Sequence, residues 1–363
     1  MRPLVPPYVE TLKPYVPGKP IEETEREFGL KGVIKLASNE NPLGPSPRAV
    51  EAMRTAATAT HLYPDATSFH LVRRLATHLG VKPEEVVLGS GSNELIELLI
   101  RTFTTTEDEI LLCKGSFSAY RISAQAHGRP FVEVPMREGY QYDLDAMARA
   151  ITPRTRMVFL ANPDNPTGTA FSRQALEVFL AAVPPEVLVV HDEAYFEFVE
   201  WPEYTSAVAL FRQHPNLVAL RTFSKIHGLA GVRLGFGVMD AKLAGYLHRT
   251  RMPFNLTVVA QAAGLAALED TEHVQRTRDV NRQGLRYYAE ELPKLGATLT
   301  NSHANFVFAD FQRPGVELYE QLLRKGVIVR PFAGQGFPNS LRISVGTPAE
   351  NERCVRALKE ILS

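Results

Sequence analysis

From about residue 70 onward, short apolar runs alternate with amphipathic stretches. The spacing predicts a helix over 68–79, the apolar strand Val86–Leu88, and a helix running from the turn Gly89-Ser90-Gly91-Ser92 to about Phe103. Leu95, Leu98, Leu99 and Ile100 give that helix its apolar face. Further strands are expected at Ile110–Cys113, Phe131–Val134, Met157–Leu160, Val187–Val190, Leu217–Leu220 and Leu234–Val238. A helix is expected near 118–127, and helical patterns lie between several of the strands. Apolar strands alternating with helices predict an α/β fold with a mostly parallel sheet covered on both faces. One long helix is expected around 241–269.

The rhythm changes at both ends. Residues 1–20 hold six prolines, which remove backbone donors and oppose helix and central strand alike. They predict an extended arm, with a short polar helix near Glu22–Phe28. The turn-rich loop over 37–47 leads into a helix ending near Ala59. After residue 271 the pattern is α+β: helix 272–292, strands near 297–300 and 305–309, helix 315–325, strands 327–330 and 341–345, and helix 348–361. The division expected is an arm over 1–32, a large domain over 33–256 and a small domain over 257–363.

Composition narrows the function classes. Length (363 residues) fits two or three domains, and 40 Lys+Arg against 40 Asp+Glu leave no basic surplus for a nucleic-acid backbone. Two cysteines, Cys113 and Cys354, cannot form a disulfide framework, which fits a reducing cytoplasm. The apolar runs fall short of the roughly 18–20 residues that cross a bilayer. No secretory signal is visible, so the sequon Asn255-Leu256-Thr257 is read as chance. The Gly-x-Ser-x-Gly elbow, the Gly-Lys-Ser/Thr of a P-loop and the His-Glu-x-x-His motif are all absent. His191-Asp192-Glu193 is the one metal-like cluster. Strand alternation sends Asp192 to the opposite face from its two neighbours, so no metal site is expected there.

What remains is a set of polar groups at strand ends. The glycine-rich turn 89–92 after one strand lets backbone N–H groups approach an anion, and Ser92 is placed to cap the next helix. Asn165-Pro166-Thr167-Gly168 follows the strand Met157–Leu160, and Asp192-Glu193-Ala194-Tyr195 follows Val187–Val190. Ser224-Lys225 follows Leu217–Leu220, and Arg233 comes eight residues later. Open α/β sheets bind ligands at that edge. Singly, each of these is also an ordinary turn, cap or surface residue. Together and in this order they resemble the fold-type I aminotransferases, which use pyridoxal phosphate, from Asn39 to Gly346.

The resemblance implies roles. Lys225 would hold the cofactor aldehyde and move protons. Asp192 would keep the pyridine nitrogen protonated, and Asn165 and Tyr195 would hold the ring's phenolic oxygen. Ser90, Gly91, Ser92, Ser224 and Arg233 would hold the phosphate, and Phe117 would stack on the ring. Pro14-Tyr15-Val16-Pro17-Gly18, the 37–47 loop, Leu62-Tyr63-Pro64-Asp65, Val329-Arg330-Pro331 and the segment around Arg342 resemble histidinol-phosphate aminotransferases and related aromatic aminotransferases. That likeness implies a cytoplasmic homodimer of histidine biosynthesis. It would exchange amino groups between histidinol phosphate and 2-oxoglutarate, giving imidazole-acetol phosphate and glutamate. Arg342, assisted by Arg330, would take the substrate's anionic group, while Tyr63 and Tyr15 would reach in from the neighbouring chain. Phenylalanine or tyrosine transamination and threonine-phosphate decarboxylation remain alternative chemistries. A regulator with an appended DNA-binding helix-turn-helix is not expected, because the first 30 residues are too rich in proline.

Overall fold

The computed structural model describes residues 4–363; the first three residues of the expected arm lie outside the described residues. After the short strand β1 (Ile34–Lys35), seven strands form the central sheet: β2 (Val86–Gly89), β3 (Glu109–Cys113), β4 (Phe131–Val134), β5 (Thr155–Ala161), β6 (Leu188–Asp192), β7 (Leu217–Thr222) and β8 (Gly235–Val238). Their order is β2-β8-β7-β6-β5-β3-β4. The pairs β4–β3, β3–β5, β5–β6 and β6–β7 are parallel, and β8 alone runs antiparallel to both its neighbours. β2, β3, β6, β7 and β8 are buried throughout, which is why they read as continuous apolar runs.

Helices cover both faces, and their starts follow from local chemistry. Ser172, Asp143 and Thr257 each accept a backbone N–H from the first turn of the helix they precede. The expected helix over 241–269 is instead two, Ala241–Thr250 and Val258–Glu269. Pro253 supplies no N–H to continue the first, and Thr257 caps the second.

The hydrophobic clusters divide between the helices Val258–Glu269 and Thr271–Glu291. Ala263, Ala267 and Leu268 of the second helix belong to the large core, whereas Tyr288, from the helix Thr271–Glu291, belongs to the small one. The packing changes near Asp270, whose carboxylate caps the Thr271–Glu291 helix and accepts from Ser46 Oγ at 2.6 Å. The small unit is a four-stranded antiparallel sheet, built from β9 (Thr298–Leu299), β10 (Phe306–Asp310), β12 (Arg330–Phe332) and β13 (Phe337–Ser344), with order β12-β13-β10-β9. Between them, β11 (Val327–Ile328) pairs in parallel with β1, so residues 34–35 and Leu36 pack with the C-terminal unit rather than the large one. The polar helix of the arm spans Ile21–Phe28, as expected, and a further short turn of helix occupies Pro7–Glu10.

Candidate active site

One cleft of ≈ 260 Å³ opens where the exit ends of β5, β6 and β7 meet the small sheet. It is lined by Lys225, Asp192, Tyr195, Asn165, Phe117, Ser92, Ser224 and Arg233 from the large unit and by Arg330 and Arg342 from the small one. Because β8 is antiparallel, its entry end lies at this edge, with Gly235 opposite Gly89. That places Arg233, just before β8, beside the 89–92 turn.

Lys225 sits half-buried in this cleft. Its Nζ donates to Ser38 O at 3.2 Å and lies 5.8 Å from the Tyr195 ring centroid. Burial, reinforced by the Arg342 charge, lowers the ammonium to about 8. A substantial fraction is therefore neutral and nucleophilic near neutral pH.

Asp192 ends β6. Its Oδ2 accepts from Tyr120 OH at 2.8 Å and its Oδ1 from Ala194 N at 3.1 Å. Burial raises this carboxyl above the usual carboxylate range, so a cationic N–H opposite it would favour the ionised form. Tyr195 OH accepts from Asn39 Nδ2 at 2.9 Å, which leaves its own proton to donate. Burial pushes that phenol up to about 12, so it is a donor at neutral pH. Asn165 Oδ1 accepts from Arg342 Nη1, so its Nδ2 remains the group with protons to give.

Arg342 is buried between the rings of Phe306 and Phe332, each centroid 5.3 Å from its guanidinium carbon. Its Nη2 donates to Ala37 O at 2.5 Å, and its buried Nε has no partner among the described residues. Arg330 is its direct cross-strand neighbour, on the same face of the sheet.

Two expectations change. Gly91, at φ 74°, is the N-cap of the helix Ser92–Phe103, so Ser92 is its first residue rather than its cap. The Ser90 N–H is taken by the Glu94 carboxylate, and Ser90 does not line the cleft. Tyr15 lines the cleft of its own chain, against Arg330. Tyr63 lies outside its own chain's cleft, 83% exposed and stacked on Phe254 at 4.7 Å.

No group of His, Cys, Asp and Glu that could hold a metal occurs among the described residues. His191 and Glu193 bond each other at 3.1 Å, away from Asp192, as the alternation requires. The sequon residue Asn255 has its amide committed to Leu88 O and Glu94. Sequence reasoning did not single out Tyr120 or Asn39, which bond Asp192 and Tyr195. Asn39 lay within a loop already singled out, and its φ of 54° marks it. Nothing in the sequence distinguished Tyr120 from a core aromatic.

These residues fit pyridoxal phosphate. Gly91 has no side chain, and a Cβ there would meet the Arg233 guanidinium at 2.4 Å, so the backbone and this cation can share one anion. Asp192, Lys225 and Tyr195 line one cleft and supply a carboxylate, an amine and a phenol, the group types that a ring nitrogen, an aldehyde and a phenolic oxygen call for.

Residues 31–358 match the family described as Aminotransferase class I and II. The chain belongs to that family. It is an aminotransferase. It is 55% identical over 361 residues to the histidinol-phosphate aminotransferase of Anaeromyxobacter sp. (strain Fw109-5), covering 99% of each chain. It is 48% identical to that of Moorella thermoacetica, over 97% of this chain and 92% of the relative. Among solved structures, the histidinol-phosphate aminotransferase of Sinorhizobium meliloti in complex with pyridoxal-5'-phosphate superposes with a TM-score of 0.91 at 27% identity, covering 99% of this chain and 97% of the other. Aspartate aminotransferase from Thermus thermophilus with maleate shares the fold, with a TM-score of 0.84 at 24% identity, covering 100% of this chain and 99% of the other.

Proposed function

We propose that this aminotransferase uses pyridoxal phosphate to exchange amino groups between L-histidinol phosphate and 2-oxoglutarate, giving imidazole-acetol phosphate and glutamate. The observation that carries this reading is the cleft itself: a half-buried amine, Lys225, shares it with a buried guanidinium, Arg342, whose Nε has no partner among the described residues. An anionic amino donor fits between them. The full-length likeness to histidinol-phosphate aminotransferases supports the choice of donor.

When bound, the cofactor supplies an aldehyde for the amino group and a ring that accepts electrons from the substrate carbon. Lys225 would hold the cofactor through its aldehyde and, as a free amine, would be the general base that moves a proton at the substrate carbon. Asp192 holds a proton at the ring nitrogen, and Tyr120 orients Asp192. Tyr195 and Asn165 donate to the phenolic oxygen. Ser92, Ser224 and Arg233 hold the phosphate. Arg342 and Arg330 orient the substrate anion, and Tyr15 covers it. One planar guanidinium suits a phosphate and a carboxylate alike, so both half-reactions use one anchor.

A panel of histidinol phosphate against phenylalanine and tyrosine, each with 2-oxoglutarate, tests the donor. The expected result is a kcat/KM at least about 10-fold higher for histidinol phosphate, the scale of one good contact to a charged group. Preference for phenylalanine would move the assignment to an aromatic aminotransferase, and carbon dioxide release from threonine phosphate would move it to a decarboxylase.

We further propose a cytoplasmic homodimer in which Tyr63 reaches the partner's phosphate site. Its exposure, and the exposed Leu62, Met252 and Phe254 beside it, support this. No helix among the described residues is long and apolar enough to cross a membrane. Mixing inactive Lys225→Ala and Tyr63→Ala proteins should restore part of the activity, because one cleft of a mixed dimer is intact. No recovery on subunit exchange would show that Tyr63 does not serve the partner's cleft.

A further inference from the structure

We infer that Asp164 is a positioning residue: its carboxylate clamps the loop bearing Phe117 to the turn bearing Asn165, and so sets two walls of the cofactor cleft against each other. The inference rests on the cofactor reading above. Asp164 does not line the cleft and takes no part in the chemistry described so far.

The geometry is direct. Ser116 precedes Phe117, and Asp164 precedes Asn165. Ser116 Oγ donates to Asp164 Oδ1 at 2.5 Å. Tyr142 OH lies 2.7 Å from Ser116 Oγ and 3.4 Å from the same carboxylate oxygen, and it accepts from Ala161 N at the end of β5. Asp164 Oδ2 receives Thr167 Oγ1 at 2.8 Å and Thr167 N at 3.2 Å. The carboxylate is fully buried, and no lysine, arginine or histidine forms an ion pair with it among the described residues. A buried carboxylate held only by neutral donors is costly, and it persists only where its bonds are complete. Burial pushes the carboxyl up to about 6, and its hydrogen bonds oppose that shift.

The clamp also reaches the small unit. Thr300 Oγ1 donates to Thr167 O at 2.5 Å, and His303 N donates to Gly168 O at 2.8 Å. The turn that Asp164 closes is thus docked on the unit that carries Arg342, and Arg342 donates to Asn165. Loosening Asp164 would shift Phe117, Asn165 and the Arg342 contact together.

Asp164→Ala and Asp164→Asn separate the clamp from the charge. Asparagine can keep the bonds: its amide oxygen can face Thr167 N, and the hydroxyls of Ser116 and Tyr142 can turn to accept from its nitrogen. Three quantities are measured beside the wild type: affinity of the apoprotein for pyridoxal phosphate by intrinsic fluorescence, the pH midpoint of the bound cofactor's visible band, and kcat. For Asp164→Ala the expected result is about 10- to 100-fold weaker binding and lower kcat, the scale of an ångström-sized misplacement. The band midpoint, which Asn165 tunes, should move by about half a pH unit or more. Asp164→Asn should restore most of each. A folded Asp164→Ala protein with all three unchanged overturns the inference, as does an Asp164→Asn protein equally impaired. If Asp164→Ala does not fold, Ser116→Ala carries the test: a midpoint shift in Ser116→Ala supports the clamp, and an unmoved midpoint overturns it. Absence of a visible band in the wild type defeats the cofactor reading instead.

Discussion

Lys225→Ala is expected to lose transamination by a factor on the order of 10⁴, the upper range for a positioned acid–base group. The same variant should lose the visible band that borohydride bleaches in the wild type, and with it the label on residue 225. Two properties of the site make the loss this large. Lys225 is the one lysine in the cleft, so no neighbouring amine can replace it. Its environment is also tuned: burial and Arg342 bring the amine to about 8, and the neutral form is the one that attacks an aldehyde. The sign is definite. Cofactor uptake by the wild-type apoprotein should rise with pH through about 8 and level off above it. A reducible adduct at another lysine in Lys225→Ala would reassign the role, and a flat uptake profile between pH 6 and 9 would remove the tuning argument.

Arg342→Ala should lower kcat/KM by about 2–4 kcal/mol, or roughly 30- to 1,000-fold, the range for truncating one partner of a buried charge-assisted contact. Its guanidinium is already desolvated between Phe306 and Phe332, with two nitrogens tied to Asn165 and Ala37 O. These anchors fix the plane before substrate arrives, so little ordering cost remains at binding. Arg342→Lys should recover only part of the loss, because an ammonium keeps the charge but not the fork. Both half-reactions should suffer, since the phosphate-bearing donor and the dicarboxylate meet the same anchor. An unchanged kcat/KM in either half would exclude Arg342 as the anchor for that substrate. Tyr15 and Arg330 would then become the candidates, since both already line the same cleft.

Legibility varied with how local each cause is. Helices such as Phe69–Leu79 and Pro348–Leu362 were readable because their apolar spacing and flanking residues lie within one stretch of chain. The break at 251–257 was not read, because apolar spacing resumes on both sides and only Pro253 interrupts it. Tyr120 was unreadable for a different reason. A tyrosine on the buried face of the helix Ser118–Ala126 looks like core, and its role comes from Asp192, 72 residues away. Asp164 directly precedes the Asn165-Pro166-Thr167-Gly168 turn, but the meaning of its carboxylate depends on Ser116 and Tyr142, which only folding brings to it.

The order of motifs along the chain determined the fold class and singled out Lys225, Asp192 and the 89–92 turn as candidates, because each sits at the end of a strand whose apolar pattern is local. Tertiary structure alone decided where those ends converge. It made β8 antiparallel and so brought Arg233 to the phosphate edge. It packed the Val258–Glu269 helix into the large core, set Tyr15 beside Arg330 on the wall of its own chain's cleft, and committed Ser90 to Glu94. The physical reason is common to these cases. Periodicity reports which face of an element is buried, but long-range pairing decides what that face meets.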